Sequence, residues 1–168
     1  ASPISDKVYL FQDFQKVDQF YVGKSDIQLA DYESFLMTNR IEKINNGVQR
    51  ISETDQPPHY SDILVSPNGQ MVYRILIEET KGRYIENLER EIPEVAKASV
   101  VVHNLQTEQT LSFDLPVADL EIPLSVVSRS AFVSNNGIYF ETKEQIDEDR
   151  LDFRFFKISS KMAANQPK

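Results

Sequence analysis

A chain of 168 residues with 40% apolar and 26% charged side chains has the size and material for one globular domain around a single core. With no cysteine, disulfide scaffolds, thiolate metal sites and cysteine nucleophiles are excluded. The 18 basic and 26 acidic residues leave a net charge of −8, which opposes nucleic-acid and anionic-lipid binding, and no apolar run approaches the length of a membrane helix.

The chain opens on Ala1-Ser2-Pro3 without an initiator Met or an apolar signal segment, as a processed product or a piece of a longer chain does. Val8-Tyr9-Leu10-Phe11 and Phe20-Tyr21-Val22 read as two short strands. Over residues 31–44, Met37, Ile41 and Ile44 recur at helical intervals that continue to Val48, and Asn45-Asn46-Gly47 supplies a stop. An extended segment with irregular burial fits the same residues. Residues 49–58 are a polar linker ending in a proline pair. Residues 1–58 therefore carry N-terminal strands and a helical or extended segment, packed on the domain that follows.

Residues 59–66 (HYSDILVS) and 70–78 (QMVYRILIE) flank Pro67-Asn68-Gly69 and predict a hairpin in which Gly69 takes a positive φ. Residues 79–97 then read as a helical excursion: Tyr84, Ile85 and Leu88 share a face, Arg83, Glu86 and Arg90 are spaced for ion pairing, and Pro93 ends it. Residues 99–103 and 110–115 predict a strand pair, and residues 130–134 and 138–142 predict another around Asn135-Asn136-Gly137. Residues 151–158 form a last strand whose alternation breaks at Phe156. The region 59–158 is thus β-rich, and residues 159–168 read as a disordered tail.

One internal repeat stands out. Residues 63–73 (ILVSPNGQMVY) return as residues 131–139 (AFVSNNGIY), with a Gly-to-Gly offset of 68 residues. Antiparallel units repeated at this distance predict a mostly β fold of propeller-like blades, a partial propeller; a β-sandwich or barrel built of the same hairpins is the alternative.

Residues 60–74 (YSDILVSPNGQMVYR), the strand pair within 98–115, residues 132–139 (FVSNNGIY) and residues 148–153 (EDRLDF) together resemble an uncharacterised secreted Bacteroidetes family. Its members look like TolB-like six-bladed β-propellers, often carried as lipoproteins. The resemblance covers roughly residues 59–158 and implies the C-terminal portion of a propeller, exported to the periplasm or outer cell surface. The chain departs from the family in being too short for six blades and in lacking a lipid-bearing cysteine. The family offers no agreed catalytic residues to carry over.

Chemistry-bearing residues are sparse. His59 and His103 lie in strands without acidic partners at metal-ligand spacing, and no Gly-x-Ser-x-Gly elbow is present. Asp147-Glu148-Asp149 lacks the alternation and bend glycine of a calcium loop, and the five glycines form no phosphate loop. No metal or cofactor is expected. Tyr73, Arg74, Arg83 and Tyr84 are the candidate binding residues, because tyrosine and arginine combine contact area with polar tips. The plainer alternative places Tyr73 between sheets and pairs Arg74 with an acid. The sequence therefore predicts a non-catalytic binding or scaffold domain of an exported protein, for a protein or glycan ligand. Its expected partner is the remainder of its own propeller or another chain. A carbohydrate-active hydrolase with paired carboxylates is the competing class.

Overall fold

The computed structural model describes residues 4–29, 41–44, 47–50, 56–85, 90–122, 130–143 and 152–157. These residues form eleven strands, all paired antiparallel, and no helix. β1 (Lys7–Gln12) and β2 (Gln15–Tyr21) make a ribbon, and β3 (Ile41–Ile44) pairs with β4 (Gly47–Arg50). β5 (His59–Val65), β6 (Met71–Ile85), β7 (Arg90–Asn104) and β8 (Thr110–Asp114) form a four-stranded meander. β9 (Ala131–Ser134), β10 (Gly137–Glu141) and β11 (Phe153–Lys157) form a three-stranded one. The mostly β, antiparallel architecture is the one read from the sequence.

The repeated hairpins share a serine and differ in their glycines. Ser66 Oγ accepts from the Met71 N–H and donates to Asn68 Oδ1, and Ser134 Oγ accepts from the Asn136 N–H. Gly69 lies at φ 68°, as expected, because only glycine turns left-handed there without strain. Gly137 does not. It is the first residue of β10, where a Cβ would run into the Phe156 carbonyl oxygen and the Phe155 ring. Close strand approach, not a left-handed turn, requires that glycine. The two turns also touch, the Asn68 N–H donating to Asn135 Oδ1 at 3.0 Å.

One helical expectation is corrected. Residues 79–85 and 90–97 are strand, continuing β6 and β7 as a two-stranded arm in which Gly82 faces Pro93. β5 reaches only Ile77 and β8 only Ser99, so among the described residues the arm has no flanking strand. Proline is tolerated on such an edge, and Pro93 therefore does not report a helix end. Residues 41–44 and 47–50 also pair as strands, with Ile44 opposite Gly47, so for residues 41–44 the extended alternative holds and the helical one does not. Residues 30–40 and 86–89 lie outside the described residues, as do Asp147-Glu148-Asp149 and the tail.

Strand alternation sends the central sheet's side chains to two faces. Tyr73, Ile75, Ile77, Ala98, Val100 and Val102 face one way, and pack with Leu120, Ala131, Ile138 and Phe140. The three-stranded sheet is therefore layered on this face. Val72, Leu76 and Val101 face the other way with Tyr60, and meet Val8, Phe20 and Val22 from the β1–β2 ribbon and the segment after it. The ribbon, the four-stranded sheet and the three-stranded sheet form three successive layers.

Candidate functional site

The described polar chemistry gathers on the second face of the central sheet, under the ribbon. Arg74 takes a position that alternation assigns to this face, between Val72 and Leu76, and is sealed from solvent. Its Nη1 donates to the Ser5 carbonyl at 2.7 Å and the Val22 carbonyl at 3.3 Å. The guanidinium lies 3.4 Å from the centroid of the Tyr60 ring. Tyr60 Oη donates to Asp6 Oδ1 at 2.5 Å. Burial lowers the Arg74 pKa to about 10, against the favourable fields of Tyr60 and Asp6. Burial and the Asp6 carboxylate raise that of the Tyr60 phenol. Arg74 stays charged at neutral pH and fastens both ends of the ribbon to the sheet.

Toward the arm, three adjacent strands carry an ionic cluster on the same face. Glu78 of β6 meets Lys24 Nζ at 2.7 Å through one oxygen and Lys97 Nζ at 2.7 Å through the other. The single hydroxyl proton of Ser99 on β7 is shared between Glu78 and, at 2.9 Å, Asp114 of β8. Lys24 Nζ also reaches Ser99 Oγ and Asp114 Oδ1, each at 3.1 Å. Desolvation opposes the Glu78 carboxylate, but bonds from Lys24, Lys97 and Ser99 outweigh it and hold its pKa below the usual range. Desolvation likewise opposes the Lys24 ammonium, and Glu78 and Asp114 still raise its pKa. Asp114 is held low by Ser99 and Lys24.

A serine 3.1 Å from a lysine has the spacing of a nucleophile and its base. The electrostatics oppose that use. Lys24 is held as ammonium and has no lone pair to offer, and Ser99 is fully buried. What the arrangement does is clamp the segment around Lys24 onto three strands.

The four residues singled out in the sequence are not brought together. Tyr73 and Arg74 point to opposite faces of β6 and both are buried. Arg83 and Tyr84 lie on the exposed arm, nine or more strand residues away, roughly 30 Å. Arg83 pairs with Glu94 across the arm at 3.7 Å, and Tyr84 is exposed. The histidines are apart as well. His59 Nδ1 bonds the Pro57 carbonyl, His103 stacks on Phe20, and burial lowers both pKa values. Among the described residues no group of three His, Asp or Glu side chains is placed to hold a metal.

Sequence reasoning missed Lys24, Glu78, Lys97, Ser99 and Asp114. Arg74 and Glu78 share a face of an otherwise apolar strand, and that was the available signal. Lys24 gave none. Among the described residues no helix is long and apolar enough to cross a membrane. The molecule is thus a layered antiparallel β protein with an internal ionic clamp. Compared with known proteins, the chain matches no family model, no curated protein and no solved structure.

Proposed function

We propose that this chain is a non-catalytic binding or scaffold module of an exported bacterial protein, built of propeller-like blades. The carrying observation is the layering: ribbon, four-stranded meander and three-stranded meander stack face to face in chain order. Blades of a propeller pack in this way, each meander covering the face of the next. A two-layer sandwich would end at the second sheet, and the ribbon adds a third layer. The repeated hairpin turns meet through Asn68 and Asn135, as equivalent turns of neighbouring blades do. The rival hydrolase needs one carboxylic acid kept protonated near neutral pH. Glu78 and Asp114 are the paired carboxylates of the cluster, and both have depressed pKa values.

The test is a panel of glycans and peptides for binding, run beside a panel of chromogenic glycosides for turnover. Binding without turnover is expected. Turnover that survives purification and disappears in Glu78→Gln or Asp114→Asn, with the fold retained, would replace this reading with the hydrolase.

A further inference from the structure

The two turns of the repeat carry the same Asn-Gly dipeptide and treat its asparagine differently. An asparagine before glycine is chemically vulnerable, because glycine has no Cβ to hinder its backbone nitrogen in reaching the neighbouring amide carbon. In both turns that nitrogen closes the bend: the Gly69 N–H donates to the Ser66 carbonyl at 2.8 Å, and Gly137 pairs with Ser134. The side chains are what differ. Asn68 Oδ1 accepts from Ser66 Oγ at 2.7 Å and from the Gln70 N–H at 3.1 Å, and Asn68 Nδ2 donates to Gln70 Oε1 at 3.1 Å. The Asn136 side chain is exposed and makes no hydrogen bond among the described residues. Ser134 Oγ takes only its backbone N–H, at 3.2 Å.

We propose that Asn136 is a site of spontaneous conversion to aspartate and isoaspartate, and that hydrogen bonding protects Asn68, its counterpart in the repeat. The Gly137 backbone nitrogen gives up its proton to solvent and attacks Cγ of Asn136. The new N–Cγ bond closes a succinimide ring, the Cγ–Nδ2 bond breaks, and the side-chain nitrogen takes up a proton and leaves as ammonia. Water then opens the ring, giving aspartate by attack at Cγ and isoaspartate by attack at the backbone carbonyl. Water is the sole co-reactant. At Asn68 the amide carbon must first leave three hydrogen bonds, whereas at Asn136 it turns freely. Isoaspartate carries the main chain through its side chain and lengthens the bend. The site has no slack for it: Gly137 lies against the Phe156 carbonyl oxygen and the Phe155 ring, so the longer bend displaces the start of β10 from β11. The modification therefore loosens the three-stranded layer.

The test is to incubate the folded 168-residue chain in mildly alkaline buffer, where the glycine nitrogen loses its proton more readily, and then to digest it with trypsin. Cleavage after Arg50 and Arg74 releases Asn68 in one peptide, and cleavage after Arg129 and Lys143 releases Asn136 in another. Mass spectrometry with electron-transfer fragmentation reads conversion at each asparagine and separates the two products. Asn136 should convert about tenfold or more faster than Asn68, since a factor of ten in rate corresponds to the net worth of about one hydrogen bond. In urea the two rates should converge. Ser66→Ala, which takes one donor from Asn68 Oδ1, should speed Asn68 and leave Asn136 unchanged. The converted protein should melt at a lower temperature than Asn136→Asp, which has the charge without the longer backbone. No conversion of Asn136, equal rates in the folded chain, or a preference for Asn68 or Asn135 would overturn the proposal. So would slower conversion of Asn68 in Ser66→Ala, which would make its hydrogen bonds activating instead of protective.

Discussion

The two faces of the central sheet carry layers of similar kind by opposite means. One is dry: Tyr73, Ile75, Ile77, Val100 and Val102 meet Ile138 and Phe140 of the next sheet. The other mixes an aliphatic patch with Arg74, Tyr60, Asp6 and the Lys24–Glu78–Ser99 cluster. Apolar burial is non-directional and scales with area, so the dry face stabilises its layer without reference to pH. Buried ion pairs gain little net energy over apolar packing, but they are costly to break. The ionic face therefore specifies where the ribbon sits, and its hold depends on charge.

The largest effect separating the faces should come from Phe140→Ala on the dry side. Truncating a buried phenylalanine costs about 3–5 kcal/mol, and the loss read by chemical denaturation should be the same at acid and neutral pH. Glu78→Gln on the ionic side should cost about 2–3 kcal/mol at pH 7, because two lysines and Ser99 lose their charged acceptor. Here the cost is pH-dependent. The folded-state pKa of Glu78 lies below its ordinary value of 4.5, so its stabilisation is complete above that value. It is lost as pH falls through the lower folded-state value, and the variant and wild-type denaturation curves should converge there. A difference that persists unchanged in acid would mean that Glu78 acts through packing.

Gly137→Ala tests how the dry face keeps its cover. Its Cβ would strike the Phe156 backbone, which has no flexible side-chain end to yield, and the cost should be about 1–3 kcal/mol. Gly69→Ala has open space and only the left-handed φ to oppose it, and should cost about 1 kcal/mol. Equal melting temperatures for the two variants would contradict the different roles given to the repeated glycines.

The sharpest comparison turns on a single hydroxyl on each face. Tyr60 and Tyr73 are both buried on the central sheet, one on each face. The Tyr60 hydroxyl donates to Asp6, whereas the Tyr73 hydroxyl is buried without a hydrogen-bond partner. Tyr60→Phe should destabilise by about 1–2 kcal/mol, and Tyr73→Phe should be neutral or stabilising by up to about 1 kcal/mol. Thermal melts of the pair decide it.

The legible parts of the sequence were those governed by local chemistry. Pro67-Asn68-Gly69 between apolar alternating runs announced the β5–β6 hairpin, because the turn residues and the strand period agree there. The arm was misread because Tyr84, Ile85 and Leu88 fit a helical face, while the pairing that won, Arg83 with Ile92 and Tyr84 with Glu91, continues the β6–β7 ladder that begins at Met71 and Asn104. Tyr73 and Arg74 were marked as chemically notable, and alternation alone already sent them to opposite faces. The candidate cluster was hidden because it joins Lys24 to Glu78, Ser99 and Asp114, 54 to 90 residues apart.

By itself the sequence determined an acidic, cysteine-free, antiparallel β chain and the positions of its clearest turns, since composition, period and turn chemistry act over a few residues. Tertiary structure alone decided which charges are buried and which glycine answers to sterics. It also decided that Phe132, Tyr139, Phe153 and Phe155 meet in one aromatic row. Those outcomes depend on which layer lies over each face, and layer packing is set by contacts between residues far apart in the chain.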